Sequence, residues 1–165
     1  MKYGLTVLTI TIGFLLQTTL LQHIRVFGAI PNLALVLVVV FSIRYEISIA
    51  ICAAVAGGLL QDFFFSPAFG IYMLIYLTIA VSVSAISGNF FEESGVTPIV
   101  MMVFSTVCQY VMMIVIYYFA GMQFDLFAII LRMIIPELAL NIAFCWVAYK
   151  FVGNIIVKYG TAGGR

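Results

Sequence analysis

Residues 94–124 read SGVTPIVMMVFSTVCQYVMMIVIYYFAGMQF, with no charged side chain from Ser94 to Phe124. A helix needs roughly 17 to 25 mostly apolar residues to cross the hydrocarbon core of a bilayer, and this stretch has them with room to spare. The same signature repeats outward in both directions. No charge occurs from Phe63 to Phe91, from Ile47 to Gln61, from Val26 to Ile43 or from Tyr3 to Ile24. The seven basic and six acidic residues fall between the apolar runs instead of along them. So little polar surface cannot cover such stretches in water, which makes lipid the solvent of the fold. The expectation is an all-α integral membrane protein, with residues 1–165 forming one polytopic domain.

The spacing predicts six helices, at about 4–22, 32–44, 47–61, 69–88, 97–120 and 136–157. Pro31, Pro98 and Pro136 stand where a first turn tolerates a missing N–H. Arg44-Tyr45-Glu46 divides two short runs that could pair as a tight hairpin, with Arg44 reaching the headgroups. Residues 124–135 carry Asp125 and Arg132 among apolar neighbours and read as an interfacial helix feeding the last crossing. The run that reaches Leu21 is too long for a signal-peptide core and is expected to be a retained helix.

With an even number of crossings, Lys2, Arg44, Lys150, Lys158 and Arg165 share one side, and Arg25 and Arg132 the other. That bias predicts both termini in the cytoplasm, with a five-helix arrangement second. No basic block points to nucleic acid, and no internal repeat suggests an inverted-repeat transporter. Cys52, Cys108 and Cys145 lie in different runs, none near a histidine, so neither a disulfide framework nor a metal site is expected.

Small or polar stripes mark helix faces suited to close packing. They are Thr6, Thr9, Gly13 and Gln17; Ala50, Ala54, Gly57 and Gln61, with Ala53 alongside; Thr78, Ser82, Ala85 and Asn89; Ser105 and Gln109; and Glu137 with Asn141. The second helix has no such stripe, so it is expected at the periphery, facing lipid or another protein. Its residues Leu33, Leu35, Val38, Val39 and Phe41, with the loop aromatics Phe63, Phe64 and Phe65, form the candidate partner surface.

Little here could do chemistry, and no enzyme and no cofactor are expected. His23 is the only histidine and sits at a helix end. Asp62 and Asp125 are the only aspartates, and a pair of carboxylates can run acid–base hydrolysis, as in an intramembrane aspartyl peptidase. Glu137 is a charge inside a predicted span, at a cost of about 2.5–3.5 kcal/mol near a bilayer centre. One residue after Pro136 it can cap a helix start, where the dipole favours a carboxylate.

The densest motif is Gly57-Gly58-Leu59-Leu60-Gln61-Asp62, then Ser66-Pro67 and Gly70. Paired glycines let another backbone approach just before the helix ends, and Asp62 then opens a turn that Ser66-Pro67 and Gly70 complete. This segment resembles the signature of the rod shape-determining protein MreD family. Pro31-Asn32-Leu33, Pro136 with Asn141, and Leu15 to Leu20 agree with it. Asn32 stands where members often carry Asp, and Glu92-Glu93 where many are basic.

The resemblance implies a non-catalytic scaffold for peptidoglycan synthesis in the elongasome, within the bacterial cytoplasmic (inner) membrane. The implied partners are MreC directly, RodA with its transpeptidase, and the MreB filament indirectly. The implied fold is a six-helix bundle like the substrate-binding subunits of energy-coupling vitamin transporters. Such a vitamin-binding subunit is the rival function. It usually carries an Ala-x-x-x-Ala motif in its first helix, where this chain has Thr6, Thr9 and Gly13.

Overall fold

The computed structural model describes residues 2–23, 28–90, 95–121 and 130–159. Those residues form a bundle of six helices: α1 (Lys2–Thr19), α2 (Leu33–Arg44), α3 (Ile47–Phe65), α4 (Ile71–Phe90), α5 (Thr97–Phe119) and α6 (Ile135–Tyr159). Among the described residues there is no strand. Spans at Lys2–His23, Ile47–Phe65 and Thr97–Phe119 are long and apolar enough to cross a membrane, and Leu33–Arg44 and Ile71–Ser87 are shorter apolar helices. The protein is a helical membrane protein.

Contacts along α2 fix the relative directions of the helices. Ser84 reaches Ser42 while Tyr76 reaches Asn32, so α4 runs parallel to α2. Arg44 meets Tyr149 while Asn32 meets Asn141, so α6 does too. Gly13 faces Leu37 while Gln17 reaches Ala34, and Gly57 faces Val38 while Gln61 reaches Asn32, so α1 and α3 are antiparallel to it. α5 opposes α6, with Pro98 at Cys145 and Tyr110 at Glu137. Neighbours in sequence therefore alternate up and down. The starts of α2, α4 and α6 lie at one end of the bundle, called here the head.

The position of α2 overturns the sequence expectation. It packs against all five other helices. Every residue from Ala34 to Ser42 is buried, and Leu35, Val38, Val39 and Phe41 are fully enclosed; of the α2 residues in the proposed surface, Leu33 alone is partly exposed. A helix apolar on every side is a buried helix, and the missing stripe meant a centre, not an edge. With 12 residues, α2 covers only about 18 Å, so it begins below the surface of the bundle.

Most stripes face inward as expected. Thr6, Gly13 and Gln17 are buried on α1, Ala50, Ala53, Ala54, Gly57 and Gln61 on α3, and Ser105 and Gln109 on α5. The α4 stripe is an exception. Its buried face is Ile75, Tyr76, Ile79, Ala80 and Val83, while Thr78 and Ala85 point outward and Ser82 is half-buried. Asn89, at the end of that stripe, lies outside the residues whose side chains are described. Thr78 serves itself by donating to the Leu74 carbonyl.

α3 runs four residues past its expected end, so Asp62 and Phe63 to Phe65 belong to its last turn and not to a loop. Residues 130–134, the described end of the expected interfacial segment, form a π-helical stretch that runs directly into α6. The rest of that expected segment, with Asp125, lies outside the described residues. At the end opposite the head, the Arg44 guanidinium sits 3.9 Å from the Tyr149 ring centre and the Lys150 ammonium 3.5 Å from that of Trp146. Cations paired with amphipathic rings suit a membrane–water interface.

Candidate functional site

A helix that starts inside a bundle leaves its first N–H groups without water, and in lipid each must find an internal partner. At the head of α2 those partners are side chains. The Asn32 carboxamide oxygen accepts from the Leu35 N–H at 3.1 Å as an N-cap. Gln17 of α1 accepts from the Ala34 N–H at 3.3 Å. Asn141 of α6 accepts from the Asn32 N–H at 2.8 Å. The stripe residues Gln17 and Asn141 therefore have a stated task, which is to let the central helix begin at depth.

Asn32 is the hub. Its oxygen also accepts from the Gln61 amide at 2.9 Å and the Tyr76 hydroxyl at 3.0 Å, and its Nδ2 donates to Gln109 at 3.3 Å. Asn141 continues the network, donating to Thr106 at 3.4 Å and to Glu137 at 3.3 Å. The Tyr110 hydroxyl donates to the other Glu137 oxygen. Glu137 stands in the first turn of α6 as expected, with the π-helical residues 130–134 before it, and its carboxylate accepts from Tyr110 of α5 and Asn141 of α6.

The second cluster joins α3 to α4. A Cβ at Gly58 would lie 2.8 Å from the Met73 nitrogen and closer still to its Cα, so only glycine lets the two backbones meet. One turn later on the same face, Asp62 accepts the Tyr72 N–H at 2.7 Å and the Met73 N–H at 3.0 Å, one on each oxygen. The carboxylate caps the helix after the turn, where the dipole also favours it. The motif is thus one device: glycine sets the approach and Asp62 fastens it. Gly57 differs, since a Cβ there would make ordinary contacts at 3.5–3.6 Å. In the connection, Ser66 turns back to Ala68 and Gly70 takes φ +101°, a conformation glycine adopts freely. Pro31 is buried just before the N-cap, and Pro136 lies near the start of α6.

Above the hub lies a cavity of about 500 Å³, lined by Gln17, Asn32, Gln61, Gln109 and Glu137, by Tyr72, Tyr110 and Tyr117, and by Phe65, Met113 and Ile114 among others. Sequence reasoning missed Tyr72, Tyr76 and Tyr110. A phenol buried within a span needs a partner, and Tyr72 and Tyr76, one turn apart, carried that signal. Beside the cavity, Phe63, Phe64 and Phe69 are well exposed and Phe65 about half so. The buried Phe14 ring backs Phe64 at 5.3 Å and Phe65 at 6.0 Å. Of the expected partner surface, these aromatics alone are outward. The proposed pair Asp62 and Asp125 is described only at Asp62. Among the described residues, no group of three or more His, Cys, Asp or Glu could hold a metal.

No curated protein and no solved structure matches the chain. A family model does: that of the rod shape-determining protein MreD, over residues 1–156. With that match over nearly its whole length, and with the family-like motif built into the α3–α4 junction, the chain belongs to the MreD family, a rod shape-determining membrane protein.

Proposed function

We propose that this protein acts by contact, as a non-catalytic membrane subunit of the bacterial cell-elongation complex that scaffolds peptidoglycan synthesis. It holds MreC directly, with RodA and its transpeptidase beside them and the MreB filament reached indirectly. The family match over residues 1–156 carries this reading. The aromatic edge of Phe63, Phe64, Phe65 and Phe69 is the surface that suits a partner's membrane helix, because it is outward yet held firm by Phe14. The excess of basic residues on the side of Lys2, Arg44 and Lys150 supports cytoplasmic termini in the inner membrane.

Asp62 supports the non-catalytic reading, because both its oxygens are committed to backbone N–H groups of α4. Complementation by Asp62→Asn and by Asp125→Asn would eliminate an aspartyl dyad. The central test is depletion, which should round up rod-shaped cells while vitamin uptake continues. Phe63→Ser with Phe64→Ser should lower recovery of MreC from native membranes at unchanged protein abundance. Cells that stay rod-shaped but lose vitamin uptake would transfer the function to the rival, a substrate-binding transporter subunit.

A further inference from the structure

The amides around the cavity have a fixed orientation, because the chain of hydrogen bonds starts from backbone N–H groups that can only donate. Leu35 donates to Asn32, so that end of Asn32 is oxygen and its other end is the donor that meets Gln109. Gln109 must therefore offer its oxygen, which leaves its NH₂ spare. Gln61 donates to the same Asn32 oxygen, which leaves its carbonyl spare. Gln17 accepts from Ala34, which leaves its NH₂ spare.

These three side chains are 8%, 3% and 3% exposed for Gln17, Gln61 and Gln109, and none of the spare ends has a partner among the described residues. No sealed polar side-chain atom there lacks a partner, so the spare ends open onto the cavity that their residues line. Capping α2 explains one end of each amide. It does not explain why two donors and one acceptor converge on a space of about 500 Å³, the size of a small-molecule site.

The wall also sets the class of ligand. The spare groups of Gln17, Gln61 and Gln109 are neutral amide ends, which match an uncharged polar group. The carboxylate that lines the cavity, Glu137, already accepts from Tyr110 and Asn141, which leaves little to draw an ammonium. Two NH₂ donors beside one carbonyl are the complement of an amide, and Phe65, Met113 and Ile114 offer an apolar flank. We infer that the cavity is a binding site for an uncharged, amide-bearing small molecule with an apolar body, gripped by Gln17, Gln61 and Gln109.

Three probes with one body and different charge test this on the full chain in lipid nanodiscs. N-acetylphenylalanine amide is uncharged, N-acetylphenylalanine is an anion, and phenylalanine amide is a cation. Saturation-transfer NMR should detect the uncharged probe at about millimolar affinity, as suits a ligand of that size. Gln109→Leu should weaken it about tenfold. Ile114→Trp, which fills the cavity and touches none of the hydrogen bonds, should abolish the signal at an unchanged melting temperature. A stronger signal from either charged probe would overturn the assignment. So would an unchanged signal in Ile114→Trp, unchanged affinity in Gln109→Leu, or no signal from the uncharged probe at about 10 mM.

Discussion

α2 and α4 begin at the same end of the bundle, and both have first-turn N–H groups satisfied from other helices, but by different chemistry. At α4 a single carboxylate does the work, with Asp62 taking two N–H groups from one neighbouring helix. At α2 the work is spread over neutral amides from α1 and α6 and over Asn32, which in turn engages α3, α4 and α5. A charge suits the first case because two N–H groups and a helix dipole converge on it. Amides suit the second because each both donates and accepts, so one residue can be passed along a network. The α4 junction is therefore a clamp between two helices, and the α2 head is a hub joining six.

The comparison can be broken in descending order of effect. Gly58→Leu should be the most damaging, at more than about 3 kcal/mol, because the clash is with backbone that cannot rotate away. Thermal melting in detergent should show no folded transition, and a melting temperature near that of the parent would remove the close-approach argument.

Asn32→Leu comes next. It strands the Gln61 amide, the Tyr76 hydroxyl and the Leu35 N–H, a loss of about 3 kcal/mol when buried donors lose their acceptor. The hub account further expects Asn32→Leu and Gln109→Leu to be non-additive in a double-mutant cycle. Strict additivity would mean independent caps instead of a network.

Asp62→Asn should be milder, about 1 kcal/mol, because one oxygen remains to accept an N–H. Asp62→Ala, which removes both acceptors, should cost more. If Asp62→Asn destabilised the protein more than Asn32→Leu, the ranking of clamp and hub would be reversed. The smallest effect is expected at Gly57→Ala, within about 1 kcal/mol of the parent and on the stabilising side if the helix gains from losing a glycine. A loss like that at Gly58 would show that both glycines carry the approach.

Much of the site is legible in the amino-acid sequence. Gln17, Gln61, Gln109 and Asn141 stand out as polar residues on stripes, and Gly58 with Asp62 as a motif. Their partners do not. That Asp62 reaches Tyr72 and Met73 depends on α3 continuing through Phe65, and nothing in Gln61-Asp62-Phe63 marks the helix as unfinished. Glu137 is similar: its place in the first turn of α6 is legible beside Pro136, but that its carboxylate is met by Tyr110 and Asn141 is not.

The sequence by itself determined the solvent and the elements. Long uncharged runs are a local property, and a run long enough to cross hydrocarbon must close its own backbone hydrogen bonds as a helix. Only the tertiary structure decided which helix stands at the centre, which face of α4 turns inward, and that three amides meet around one cavity. The physical reason is that lipid and protein core are equally apolar. In water, hydrophobicity separates inside from outside along a helix. In a bilayer Val38, buried on the central helix, and Val111, facing outward, are the same choice of residue, and only packing tells them apart.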